Sequence, residues 1–373
     1  MKINFRWVLA AILGGGGAVI LSYTQNPLPG MPPVLDAKNV YSATAPGMFS
    51  AAVAGFPSRV YVPNTKSDTV DVIDPETFKI IDHFALPKKT GKLMEPQHII
   101  PSWDLKKLWV AQDLGDQLTL IDPATGKMGQ SIAVDDPYNM YSTPDGKFVI
   151  VMAEREKHID FRDPQTMKVV ARVPVNCKGV NHADFTPDGR IMIATCEFSS
   201  ELIKIDIVSK KVLEHLPLEP KGMPQDCRLT PDGKHFLIAN MEGDGVHVVD
   251  AEPFHQVKFI KTGKGAHGIY FSRDSKFAYI SNRGEGSISL INVDTLSVDR
   301  KWTIPGGGSP DMGGVSADGK TLWLSGRYNG EVYVFDTSNG KLRARIRVGD
   351  GPHGLCFYPQ PGRYSLGHTG NMR

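Results

Sequence analysis

Seven side chains able to bind a metal ion recur along this chain at nearly constant intervals: His98, Asn139, His182, Asp226, His267, Asp311 and His353. The steps between them are 41, 43, 44, 41, 44 and 42 residues, and each stands just before an apolar run that leads into a turn. Neutral imidazoles joined by a carboxylate suit copper, zinc, iron or manganese, and three or four facing one point suffice for one divalent ion. Two carboxylates about 8 Å apart repel by roughly 2 kcal/mol at an effective dielectric near 20, and a cation between them relieves that strain. The expected metal ligands are therefore His98, His182, His267 and His353, with Asp226 and Asp311 as further ligands or as acceptors that orient the imidazoles.

A period of this length is one four-stranded blade of a β-propeller, so the chain reads as an all-β repeat fold. Equivalent positions on successive blades then ring a central axis. A second register has the same count: β-rich runs end in an acidic or amide residue at Asp74, Asp122, Asp163, Asp206, Asp250, Asn292 and Asp336. A third is the hairpin turn Pro144-Asp145-Gly146, repeated at Pro187-Asp188-Gly189 and Pro231-Asp232-Gly233. Weaker copies stand at Ala317-Asp318-Gly319, Arg273-Asp274-Ser275 and Trp103-Asp104-Leu105. Proline presets φ, and Asp-Gly accepts the positive φ of a tight reversal.

The expected fold is a seven-bladed β-propeller over residues 49–366, closed where the terminal run 355–362 joins the blade that begins at Arg59. Residues 51–55 compete for the same strand slot. One detail cuts against a single ring. His98, Asn139, His182 and Asp226 stand five residues before the first turn position, whereas His267, Asp311 and His353 stand six before it. In a regular strand that slip reverses the facing of a side chain, so either the backbone absorbs it or only one subset lines the axis.

The loops joining second and third strands open on the same face. They carry Arg155, Arg283 and Arg327 beside Glu154, Glu197 and Glu242, and guanidinium groups there can hold an anionic ligand or cofactor bidentately. His83, His158, His215, His235, His247 and His255 fall on middle or outer strands and turns, where a structural role is expected. His368, in a terminal tail over residues 367–373, either folds under the wheel or hangs free.

Forty-two basic against forty acidic residues leave a formal charge of +2 with no long basic run, which offers no footprint for nucleic acid. Lys2 and Arg6 precede an apolar stretch over residues 7–21, the pattern of an export signal or retained membrane anchor in residues 1–22. Residues 23–48 are proline-rich and read as a tether holding the wheel off a membrane. The expected location is periplasmic or extracellular, with a monomeric wheel touching membrane only through its N-terminus. In such a compartment Cys177 and Cys196, in adjacent loops of one blade, can pair, while Cys227 and Cys356 read as buried thiols. The chain has no GxSxG, HExxH, CxxCH or P-loop pattern, which argues against the usual serine hydrolase and against covalent haem.

The runs Val60-Tyr61-Val62-Pro63-Asn64, Val70-Asp71-Val72-Ile73-Asp74-Pro75 and Val348-Gly349-Asp350-Gly351-Pro352-His353-Gly354 resemble the YVTN-type propeller repeat. The resemblance covers roughly residues 56–362 and implies an exported, YncE-like, seven-bladed wheel. It implies no single activity, because related wheels serve as enzymes, electron-transfer subunits and scaffolds. Three functions stand as expectations. One is a copper or iron site on the axis with redox or Lewis-acid chemistry on a small ligand at the channel mouth, an oxidoreductase or lyase if it is an enzyme. The second is a non-catalytic scaffold docking a protein or envelope partner. The third is a wheel binding a cofactor of the haem d1 kind.

Overall fold

The computed structural model describes residues 27–88 and 91–373, so the expected export signal lies outside the described residues. Among those described, no helix is long and apolar enough to cross a membrane. The short β-rich runs pair into seven four-stranded antiparallel sheets, one per blade. Second strands such as Leu108–Gln112 and Val149–Ala153 are almost wholly buried, because they lie mid-sheet with a neighbouring blade on each face. Outer strands such as Lys79–Ala85 and Lys211–Pro217 are largely exposed, as their charged residues require.

The expected turns form as their chemistry demands. Gly146, Gly189, Gly233 and Gly319 take positive φ of 69°, 72°, 71° and 77°. A hydroxyl two residues before each turn aspartate donates to it, as from Thr143 to Asp145 and Thr186 to Asp188, both at 2.6 Å. The competition for the closing strand is resolved: Cys356–Tyr358 pairs with Arg59–Asn64, and Ala51–Val53 is a 3-10 turn outside the sheet. Cys177 and Cys196 form a disulfide; Cys227 and Cys356 are buried free thiols.

From Leu28 onward the proline-rich segment does not stand clear of the wheel. It crosses the face bearing the turns, where Leu28 donates to the Asp188 carbonyl and Val40 to the Pro231 carbonyl, both at 2.8 Å. The physical reason is apolar: Leu28, Val40, Tyr41 and Ala43 are buried against that face.

The terminal residues fold under the wheel and then into it. Tyr364 and Arg373 exchange backbone hydrogen bonds, Leu366 donates to Asn371 and accepts from Ser142, and Ser365 bridges Met372, which makes a hairpin docked on an inner strand. Its tip is Gly367, His368, Thr369 and Gly370. Gly367 has φ 104°, and a Cβ there would lie 2.3 Å from the Met140 carbonyl oxygen, so only glycine fits against the inner strand Pro137–Ser142. Arg373 fixes the hairpin's end: its guanidinium donates to both Asp184 oxygens at 2.8 and 3.0 Å, and its Cζ lies 4.4 Å from the Tyr41 ring centroid.

Removing one partner of a buried ion pair typically costs about 3–5 kcal/mol, because the other charge is left stranded. Arg373→Met is therefore expected to lower the denaturant midpoint and to open the last residues to carboxypeptidase. Wild-type stability together with wild-type protease resistance would show that other contacts hold the hairpin.

Candidate metal centre on the propeller axis

The innermost strands are Pro96–Pro101, Pro137–Ser142, Val180–Phe185, Pro224–Leu229, Ala266–Phe271, Pro310–Val315 and Cys356–Tyr358. At the start of each, one surplus residue faces the second strand. Pro96 pairs with Gln112 and His98 with Ala111, while Ala266 pairs with Asn282 and Ile269 with Ile280. The same bulge occurs in the other five blades. A bulge lets two successive residues face the same side, so each blade presents two positions to the axis.

This accounts for the five-against-six spacing. Counted from the first paired residue of each blade, Gln97, Tyr138, Asn181, Gln225, His267, Asp311 and His353 are equivalent and form a tier at the mouth. His98, Asn139, His182, Asp226, Gly268, Met312 and Gly354 form a second tier, one residue deeper. All seven expected residues therefore line the axis and all are buried, but not as one ring. Gly354 is needed at its place, since a Cβ there would meet the His98 ring at 2.2 Å.

Potential ligand atoms gather into two groups, each with all atoms within 4.8 Å: His98, His182 and His368, and His267, Asp311 and His353. The set expected from sequence is thus divided between tiers. His368, which spacing did not select, completes the inner group. It enters on the tip of the C-terminal hairpin, with its ring centroid 5.1 Å from that of His98 and 5.0 Å from that of His182. No periodicity could have marked it; the flanking Gly367 and Gly370 are its only sequence signal of a sharp, closely packed tip.

The inner group has the features of a ligand set without a partner. His98 Nε2, His182 Nε2, His368 Nε2 and Asp226 Oδ1 are all buried, and none has a hydrogen-bond partner. Asp226 Oδ1 lies 3.8 Å from His368 Nε2, while its other oxygen accepts from Ile269 N at 2.9 Å. Burial lowers His98 to about 3 and takes His182 and His368 well below the ordinary histidine value. The imidazoles are thus neutral at physiological pH, as metal ligation requires. Burial also raises Asp226 to about 7. An ion about 2.1 Å from each nitrogen brings tetrahedral ligands to about 3.4 Å of one another, so the group needs only a modest contraction.

The mouth group already contains its cation. Arg283 donates to Asp311 Oδ1 and to His267 Nε2, both at 2.5 Å. Burial would raise the Asp311 carboxyl, but Arg283, His267 and His353 together hold it well below its usual range. A divalent ion about 4 Å from that guanidinium would be repelled by roughly 8 kcal/mol at an effective dielectric of 20. The mouth group therefore excludes a second cation, whereas the inner group contains none of its own.

The three expected arginines differ in availability. Arg283 is locked to Asp311, with its Cζ 5.7 Å from the Tyr328 ring centroid. Arg327 keeps a buried Nη1 without a hydrogen-bond partner. Arg155 is taken up by Asp113 and Asp136, at 3.1 and 2.9 Å, away from the histidine groups. Glu154 and Glu197 converge on Asn181, which donates to them at 3.2 and 2.6 Å, and burial raises both carboxyls. Elsewhere His83, His215 and His235 pair with Asp71, Glu201 and Asp250 as strand and turn residues.

No curated protein sequence matches the chain. Several solved structures share its fold at low identity. A functionally unknown protein from Desulfotomaculum acetoxidans DSM 771 is 16% identical, with a TM-score of 0.67 over 80% of this chain and 98% of that one. The dihydro-heme d1 dehydrogenase NirN, in complex with DHE, is 17% identical with a TM-score of 0.60, over 89% of this chain and 78% of its own. Hydrazine synthase from Kuenenia stuttgartiensis is 17% identical with a TM-score of 0.63, over 86% of this chain and 99% of its own. These likenesses concern architecture alone. The YNCE-like beta-propeller model matches residues 28–361, nearly the whole described wheel, and the chain belongs to that family.

Proposed function

We propose that this propeller is an exported metalloprotein holding one copper or iron ion on its axis. The ligands are His98 Nε2, His182 Nε2, His368 Nε2 and Asp226 Oδ1. The observation that carries this reading is that these four atoms are buried, neighbouring and unpartnered. Each unsatisfied buried polar group costs about 1–3 kcal/mol, and imidazole nitrogens with one carboxylate form a donor set that copper, iron or zinc accepts. A single ion suits the convergence of three nitrogens better than a haem, whose iron offers at most two axial positions to protein. The Cys177–Cys196 disulfide supports an oxidising, extracytoplasmic location.

The hairpin fills the axis from the turn face, so a ligand reaches the ion from the mouth. Arg327, with a buried Nη1 that has no hydrogen-bond partner, favours a small anion there, and an ion with open positions would supply redox or Lewis-acid chemistry. Arg155, already paired, is not part of that recognition.

Elemental analysis of protein purified without a histidine tag should give about one metal per chain. His182→Ala and His368→Ala should reduce this at least tenfold, while His267→Ala retains it. Wild-type protein that stays below a tenth of an equivalent after incubation with copper(II), iron(II) and zinc would overturn the reading. So would full metal content in both inner-tier variants.

Asp226→Asn offers a test of opposite sign. With a folded value near 7 against an ordinary carboxyl value near 4, the folded state keeps a proton that the unfolded state has lost between those pH values. Metal-free protein thus loses stability at Asp226 as pH rises from 4 to 7, and the penalty is complete above 7. Asp226→Asn should stabilise the metal-free protein by about 2–4 kcal/mol at pH 8, with the gain vanishing near pH 4, while weakening metal binding. Urea unfolding at the two pH values measures it; equal effects at both would remove Asp226 from the site.

A further inference from the structure

Resting on that reading of the inner tier, we infer that Asn139 is a positioning residue whose one amide selects the tautomer of two metal ligands from different parts of the chain. Its Nδ2 lies 3.1 Å from His182 Nδ1 and 3.0 Å from His368 Nδ1. His182 belongs to the inner strand Val180–Phe185 and His368 to the C-terminal hairpin, and Asn139 joins them from the inner strand Pro137–Ser142. The third ligand, His98, is oriented separately: its Nδ1 donates to the Tyr138 carbonyl at 2.9 Å, which leaves Nε2 bare toward the centre.

The three rings are therefore not equivalent. An amide NH2 only donates, so both nitrogens it faces must be acceptors, and a neutral imidazole that accepts at Nδ1 carries its proton on Nε2. In this arrangement His182 and His368 point Nε2–H at the centre, and neither can bind a cation there. Rotating the amide by half a turn presents Oδ1 to the same two nitrogens. Each ring then exchanges its Nε2 proton for one on Nδ1 through water, without change in total protons, and both Nε2 lone pairs become available. The rotation gives up the bond from Met140 N to Asn139 Oδ1, 2.9 Å long, and the longer one from Asn139 Nδ2 to the Tyr141 hydroxyl at 3.4 Å. It gains two N–H donors onto one oxygen. Such partners of ligating histidines are worth about 10–100-fold in metal affinity. Asn139 thus makes the site closed to cations in one orientation and receptive in the other, and it couples the hairpin's histidine to a blade histidine.

The experiment pairs zinc affinity with a direct reading of tautomers. In metal-free wild-type protein, nitrogen-15 spectra of the imidazoles should show His98 protonated on Nδ1, and His182 and His368 on Nε2. Adding zinc should move both to Nδ1. Asn139→Asp, whose carboxylate only accepts, should bind zinc at least tenfold more tightly than wild type, and Asn139→Leu at least tenfold more weakly. Nδ1 protonation of both rings before zinc is added would overturn the inference, as would wild-type zinc affinity in both variants. A wild-type protein that binds none of zinc, copper(II) and iron(II) would instead overturn the metal reading. The metal-free spectra need neither variant to fold, and they test the amide's orientation on its own.

Discussion

One surplus residue at the start of every inner strand decides how the axis of this wheel is furnished. In an unbroken strand successive side chains alternate faces, so each blade would offer the channel one residue at that level and bury the next between blades. The bulge turns both inward. His98 and its predecessor Gln97 face the axis together, as do Asp311 and its successor Met312. Two tiers arise from one repeat, and the sequence can place chemistry in either by shifting a residue one step.

The blades use that freedom asymmetrically. Three consecutive inner strands put His267, Asp311 and His353 in the mouth tier and Gly268, Met312 and Gly354 beneath them. The other four put amides and Tyr138 at the mouth and His98, Asn139, His182 and Asp226 beneath. Charge follows the same division. The mouth tier holds an ionised Asp311 neutralised by Arg283, so its electrostatics are complete. The inner tier holds neutral imidazoles and a carboxyl that burial lifts to about 7, and its facing nitrogens and Asp226 Oδ1 have no hydrogen-bond partner. Paired buried charges stabilise or nearly break even, whereas unpaired buried ligand atoms are a standing cost. That contrast separates a structural network from a candidate binding site.

Much of this was legible in the chain. Two registers of equal count gave the wheel, and a third, the Asp-Gly turns, marked the hairpins through a local φ requirement that side chains alone determine. The axial residues were identifiable as a set because propeller symmetry maps equal spacing onto one radius. Their division was not, although its trace was visible in the five-against-six offset: a bulge is a pairing property, and pairing partners such as Gln112 for Pro96 carry no mark of it. Arg155 looked equivalent to Arg283 by loop position. What separates them is which acids the adjoining loops and strands supply, Asp113 and Asp136 for one and Asp311 for the other. The proline-rich segment suggested a spacer by composition, yet Leu28, Val40 and Tyr41 were enough to bind it to the wheel.

His368 lay beyond any periodic argument, and the repeat itself explains why a ligand should come from outside it. A histidine at two of the remaining second-tier positions would need a Cβ where Gly268 and Gly354 have none. At Gly354 that atom would occupy the space of the His98 ring. The blades can therefore supply only part of a compact ligand set at this depth before their side chains collide. A hairpin entering along the axis escapes the limit, because its backbone approaches where no blade is, and Gly367 lets it come within contact of the Met140 carbonyl. The anchor far from the tip, Arg373 on Asp184, then matters to the site through leverage rather than contact: it holds in place the segment that carries the third imidazole to the two already fixed on the blades.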